Sequence, residues 1–167
     1  ELIDKHGADT LRYYMCQTAA GEDINFSRDE CAVKQRTLLI FWNIHKLLLN
    51  LARENGCNPF TLKSSAMEKL MNVEEKYIFS RLHSTIKVVT ELFEQYRLDQ
   101  IIPLVENLFL DLSRTYIQLV REKSAVGAPE EKEVCIYTIA TVLLESMKLM
   151  SPIAPFVTEA MYLNLKE

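Results

Sequence analysis

Two arginines in the later part of the chain have the type and spacing to grip a phosphate. Arg114, Gln118 and Arg121 follow one another at i, i+4 and i+7, which places them on one face of a helix. A guanidinium presents a planar fork of donors that matches a phosphate or stacks on an unpaired base. Tyr116 and Lys123 form a second row. By itself this pattern favours a solvated helix face, and Tyr116 could equally be a core residue with a satisfied hydroxyl.

A second polar group lies on the long apolar segment after Ser27. Projected at about 100° per residue, the polar residues of this segment form an arc that covers roughly a third of the helix circumference. Lys46 and Arg53 are simple phosphate partners, whereas Asn43 could instead hydrogen-bond across a helix bundle. The arc consists of Gln35, Arg36, Asn43, Lys46, Asn50 and Arg53.

The two groups together are candidates for a nucleic-acid surface. The formal net charge of -4 and a pI near 5.5 give it no support, so any RNA contact must come from a local basic patch. Its residues are Arg36, Asn43, Lys46, Arg53, Arg114, Tyr116, Arg121 and Lys123.

Enzyme and metal motifs are missing from the sequence. There is no phosphate-binding glycine loop and no nucleophile elbow, and none of His6, His45 and His83 has a carboxylate or histidine at i+4. No two of the four cysteines are spaced as C-x-x-C, so we predict reduced thiols and no metal site. No membrane span is predicted either, because the longest apolar run is far too short.

The elements that must position these residues are helices. Glycine and proline are few, and no strand-period alternation is present. Ser27 and Glu30 form a capping box at the start of a long, mostly apolar helix that we expect to be central. The pattern predicts an all-α antiparallel bundle with short loops. The predicted helices cover about 8–20, 28–53, 74–96, 99–123, 131–150 and 156–165.

Four segments, read in order, resemble class I aminoacyl-tRNA synthetases. Residues 1–27, with G-A-D, L-R and D-x-x-F-S, match the segment that follows the KMSKS loop. Residues 39–44 (LIFWNI) look like the L-W-N segment of the first anticodon-domain helix. Residues 111–123 (DLSRTYIQLVREK) and the final LMSPIAPFVTEAMYLNL are similar to the isoleucyl members, particularly archaeal-type ones. Thr115 replaces the usual tryptophan, and Ala160 replaces the second glutamate of T-E-E.

The resemblance implies the anticodon-binding helix bundle of that family. Residues 1–26 would be a connector after the KMSKS loop, and residues 27–167 the bundle that docks the anticodon stem-loop of tRNA. Lys5 and Arg12 could contact the tRNA stem. A structural alternative for the connector is that Asp9 caps a helix and Arg12 pairs with it or with a neighbour.

The resemblance also implies a parent enzyme, expected to be a cytoplasmic monomer, that ligates isoleucine to its tRNA with ATP and magnesium. Its catalytic and editing domains would lie outside this chain, which would carry no catalytic site. Two alternatives stay open. One is the same domain of a valyl or leucyl enzyme, and the other is a helical protein-interaction scaffold with no RNA role.

Overall fold

Capping residues set the starts of three long helices. The computed structural model describes residues 2–17 and 26–166. Ser27 accepts the amide of Glu30 at 3.3 Å, and the helix that follows runs to Glu54. The Glu75 carboxylate accepts the amide of Asn72 at 2.9 Å, and Glu131 caps Ala128 in the same way. These bonds satisfy amides that have no partner within their own helix.

All the regular structure in the described ranges is helical, which confirms the all-α prediction. None of these helices is long and apolar enough to cross a membrane. A 3-10 turn covers Pro59–Thr61, and a π-helical turn covers Leu112–Tyr116. The α-helices are α1 (Leu2–His6), α2 (Ala8–Met15), α3 (Arg28–Glu54), α4 (Ser64–Leu70), α5 (Val73–Glu94), α6 (Leu98–Asp111), α7 (Ile117–Leu119), α8 (Arg121–Val126), α9 (Pro129–Met150) and α10 (Pro155–Lys166).

The long helices alternate in direction, as expected for an antiparallel bundle. α3 and α6 run parallel to each other, and Phe41 of α3 packs on Phe109 of α6. α5 lies between them in the chain and runs in the opposite direction. The central position belongs to α9, which packs against α3, α5, α6, α8 and α10. α3 packs against α1, α2, α6, α9 and α10, and its polar side stays in solvent, as the polar arc predicted.

The bundle has two ends, which are called the α2 end and the α8 end below. At the α2 end, α2 packs beside the turn from α9 to α10. At the α8 end, α3 finishes near the start of α9. There, burial and the nearby Glu133 carboxylate raise the pKa of the Cys57 thiol. The 27 residues of α3 span about 40 Å between the two ends, at about 1.5 Å per residue.

The predicted helix over 99–123 differs most from the structure. It begins at Leu98, so Asp99 is not its N-cap and Pro103 lies inside it rather than in the first turn. It is then interrupted by the π-helical turn and again at Val120. The predicted helix 8–20 ends at Met15, and residues 18–20 lie outside the described residues.

Candidate nucleic-acid interface

The solvent face of α3 carries the polar arc predicted from the sequence. Arg36, Asn43, Lys46 and Arg53 are all exposed, while Phe41, Ile44 and Leu48 on the opposite face are buried in the core. Trp42 is half-buried against that core. Along the helix axis, Arg36 and Arg53 are separated by about 25 Å. This face therefore forms an extended strip and not a compact pocket.

The cations of this face are available to a ligand. Within residues 2–17 and 26–166, Arg36, Lys46 and Arg53 form no ion pair and donate no side-chain hydrogen bond. Arg53 lies near the α8 end, whereas Arg36 lies near the α2 end. An extended polyanion such as a nucleic-acid backbone fits this distribution better than a small anion does.

Arg114 and Arg121 stand on an irregular helical stretch at the α8 end. Both are exposed, and neither pairs with a carboxylate among the described residues. The amide of Ile117 bonds to the carbonyl of Leu112, five residues back, so Arg114 belongs to a π-helical turn. A new helix starts at Arg121. The ideal i, i+7 spacing is therefore broken, although both guanidiniums remain in solvent.

Tyr116 is a core residue, so its predicted stacking on RNA is wrong. Its side chain is 0% exposed, and its hydroxyl donates to Oε1 of Glu75 at 3.0 Å. The alternative left open from the sequence, a core tyrosine with a satisfied hydroxyl, is the arrangement found.

Lys123 is also removed from the predicted surface. Its ammonium donates to the same Glu75 oxygen at 2.8 Å and lies 3.4 Å from Glu74, and the side chain is only 14% exposed. A buried carboxylate needs such a partner, because an unpaired charge in the interior is costly. Lys123 thus neutralises Glu75, and its ammonium is not available to a phosphate.

This buried cluster, Glu75, Tyr116 and Lys123, fastens the π-helical turn and α8 to the start of α5. Burial and then neighbouring negative charge raise the pKa of Tyr116. Burial works to lower the pKa of Lys123, but the hydrogen bond and charge of Glu75 outweigh it, and the net shift is upward. Sequence reasoning missed Glu75. The available signal was the capping box that it forms with Asn72.

Arg12 and Asp9 hold the turn between α9 and α10. Arg12 donates to the carbonyls of Pro152 and Ile153 at 2.9 and 3.0 Å. The Asp9 carboxylate accepts the amide of Val157 at 2.6 Å and that of Phe156 at 3.4 Å. Asp9 therefore caps α10 and not its own helix. The guanidinium of Arg12 donates to two backbone carbonyls while the residue stays exposed, so its proposed contact with a tRNA stem stays a prediction.

α2 shares its core with the bundle that follows it. The hydroxyl of Tyr13 bonds to Glu106 on α6, and Lys34 on α3 donates to the same carboxylate at 2.9 Å. Lys34 also lies 5.1 Å from the centre of the Tyr13 ring. The division of the chain at residue 26 stays a prediction. Lys5 on α1 is exposed, and its proposed contact with a tRNA stem stays one as well.

Comparison with known proteins places the later part of this site in one family. Residues 75–167 match the family described as the anticodon-binding domain of tRNA ligase. The chain belongs to this family. The match includes Glu75, the π-helical turn and both exposed arginines of that region, whereas the basic face of α3 precedes it.

Curated relatives of this anticodon-binding domain align over nearly all of the chain. Isoleucine–tRNA ligase of Methanocella arvoryzae is 33% identical over 99% of the chain, and that of Methanosarcina barkeri is 32% identical over 99%. The same ligase of Natronomonas pharaonis is 35% identical over 97%. These alignments cover 15%, 16% and 15% of the three relatives. The resemblance to archaeal isoleucyl enzymes is confirmed, and the chain corresponds to about a sixth of such a protein.

Proposed function

We propose that this domain docks the anticodon stem-loop of tRNA(Ile) within an isoleucine–tRNA ligase. The observation that carries the proposal is the pair Arg114 and Arg121, exposed and without an ion pair among the described residues, inside the region that matches the anticodon-binding family. In this proposal ATP, magnesium, isoleucine activation and editing belong to other domains of a cytoplasmic, monomeric parent enzyme.

The mechanism proposed for the domain is positioning. Guanidinium contacts to phosphates fix the register and orientation of the RNA, and a few stacking or base-edge contacts test the anticodon loop. Each phosphate neutralised releases condensed counterions, which favours binding even to a domain with an acidic average charge. With the anticodon arm held, the acceptor end of the tRNA is presented to the catalytic domain.

Arg114→Ala and Arg121→Ala in the parent ligase test this proposal. Each loses a charged contact made to tRNA, worth about 1–2 kcal/mol, so the KM for tRNA should rise about 5- to 30-fold. Isoleucine activation, measured by ATP–pyrophosphate exchange without tRNA, should be unchanged.

One control variant separates this effect from a general change in charge. Arg97→Ala removes an exposed arginine at the α2 end. It should leave the tRNA KM near the wild-type value. A wild-type KM for tRNA in both the Arg114 and the Arg121 variants would refute the proposed surface.

A further inference from the structure

A groove at the α8 end shares only Arg53 with the surface described so far. It has a volume of about 390 Å³ and lies between the end of α3, the 3-10 turn and the last turn of α10. A second depression of about 320 Å³ adjoins it and shares Asn58, Phe60, Leu165 and Lys166. Phe60 and Lys166 line both depressions, and Tyr162 lines the second. Together they form one continuous surface, called the Phe60 groove below.

Two aromatic rings are exposed in the Phe60 groove. Phe60 is 48% exposed and Tyr162 is 44% exposed. Leaving such rings in water gives up the free energy that their burial would provide. Phe60 is also held in place, because its amide donates to the Asn58 side chain at 3.0 Å and the preceding Pro59 is buried. The ring is thus presented on a fixed backbone before any ligand arrives.

The remaining polar groups of the groove are cations and amides. Arg53 and Lys166 form no ion pair with any residue that the structure describes, and the Lys166 ammonium lies 5.6 Å from the centre of the Tyr162 ring. Asn58 and Asn164 add side-chain amides, which both donate and accept hydrogen bonds. An apolar peptide would leave these cations and amides unmatched. An unstacked nucleotide matches the aromatic rings, the cations and the amides. Its base stacks on a ring and hydrogen-bonds to the amides through its edge, and its phosphate pairs with a cation.

We propose that the Phe60 groove binds one unstacked nucleotide of an RNA loop, with the base against Phe60 and the phosphate between Arg53 and Lys166. This rests on the proposed function, which it deepens by giving the domain a base-stacking site separate from Arg114 and Arg121. Because every base has a stacking face, the site contributes affinity whatever the base, and the amides of Asn58 and Asn164 provide any preference among bases.

Phe60→Ala in the parent ligase tests the groove. The probe is a fluorescently labelled RNA hairpin with the anticodon stem and loop of tRNA(Ile), whose dissociation constant is measured by anisotropy. Loss of the stacked ring should weaken binding about 5- to 100-fold. Phe60→Leu keeps apolar bulk without a ring and should weaken binding nearly as much. Phe156→Ala is the matched control, since Phe156 is 67% exposed on the same helix as Tyr162 but outside the groove.

A second arm identifies the stacked base. Hairpins with one abasic loop nucleotide each are titrated against wild type and Phe60→Ala. One of these hairpins should bind both proteins equally, because it lacks the base that the ring would contact. If Phe60→Ala weakens the binding of every abasic hairpin, the ring does not stack on a loop base and the groove assignment is wrong.

The outcomes separate this inference from the function on which it rests. Wild-type affinity for the intact hairpin in Phe60→Ala or in Phe60→Leu, together with weaker binding by the Arg114 and Arg121 variants, overturns the groove and keeps the proposed function. Weaker binding by Phe60→Ala, with the arginine variants unchanged, keeps the groove and overturns the arginine surface. A wild-type ligase that does not bind the hairpin overturns both.

Discussion

At the scale of single residues, one buried carboxylate decides which cations stay available. Glu75 is 0% exposed, and its oxygen Oε1 accepts from both Tyr116 and Lys123. Pairing is required there, because the interior solvates an isolated carboxylate poorly. Arg114 and Arg121 meet no such group among the described residues. Lys123 is structural and the two arginines stay exposed because their neighbours differ.

Tyr116→Phe should change the alkaline stability of the domain. The ordinary pKa of tyrosine, 10.0, applies to the unfolded chain, and burial raises the pKa in the folded domain. Both states keep the proton below about pH 10. Above it only the unfolded chain releases the proton, so wild-type stability falls by about 1.4 kcal/mol per pH unit for this group. The raised pKa of Lys123 acts in the same direction.

In Tyr116→Phe this contribution to the fall of unfolding free energy with pH disappears. At pH 7 the variant is less stable by about 1 kcal/mol, because it lacks the hydrogen bond to Glu75. Urea unfolding of the chain between pH 7 and pH 11, followed by circular dichroism, measures both effects. Tyr96→Phe is the control, because Tyr96 is 88% exposed. Equal pH slopes for wild type and Tyr116→Phe would show that Tyr116 does not carry a raised pKa.

At the scale of elements, the sequence predicted those features that depend on interactions between residues close together in the chain. The cap at Ser27 and the polar arc of α3 follow from residues within a turn or two of each other, and both are present in the structure. The π-helical turn was not predictable in this way. Its Tyr116 bonds to a residue 41 positions away, and Asp111 just before it pairs with Arg81. Such partners become neighbours only after the helices pack.

Asp9 provides a second case of an element fixed from a distance. It caps α10 from 147 residues earlier in the chain, so the sequence suggested a cap but not the helix that receives it. We predict that Asp9→Ala lowers the free energy of unfolding by about 1–2 kcal/mol, because two amides at the start of α10 lose their acceptor.

Asp9→Asn should lose less stability, because the amide oxygen can still accept. Chemical denaturation of the isolated chain measures both variants. Asp29→Ala is a suitable control, since Asp29 is exposed in the first turn of α3. If Asp9→Ala is no less stable than that control, Asp9 does not hold α10.

At the scale of the whole molecule, the net charge of -4 does not describe the surface that a ligand meets. Carboxylates such as Glu75, Glu106 and Asp9 are occupied within the fold. Arg36, Lys46 and Arg53 are exposed along α3, and Arg114 and Arg121 are exposed at the α8 end. The fold class and the basic face of α3 could be predicted from the sequence. The loss of Tyr116 and Lys123 from the predicted surface could not, because their partner Glu75 lies on another helix.

The most direct test of this account is the salt dependence of tRNA(Ile) binding to the parent ligase. The logarithm of the association constant should fall linearly with the logarithm of salt concentration. The slope should be shallower by about 1.5 in the Arg114→Ala/Arg121→Ala double variant, if each arginine contacts one phosphate. Arg97→Ala should keep the wild-type slope. A double variant with wild-type affinity and wild-type slope at every salt concentration would contradict the claim that these two arginines grip RNA.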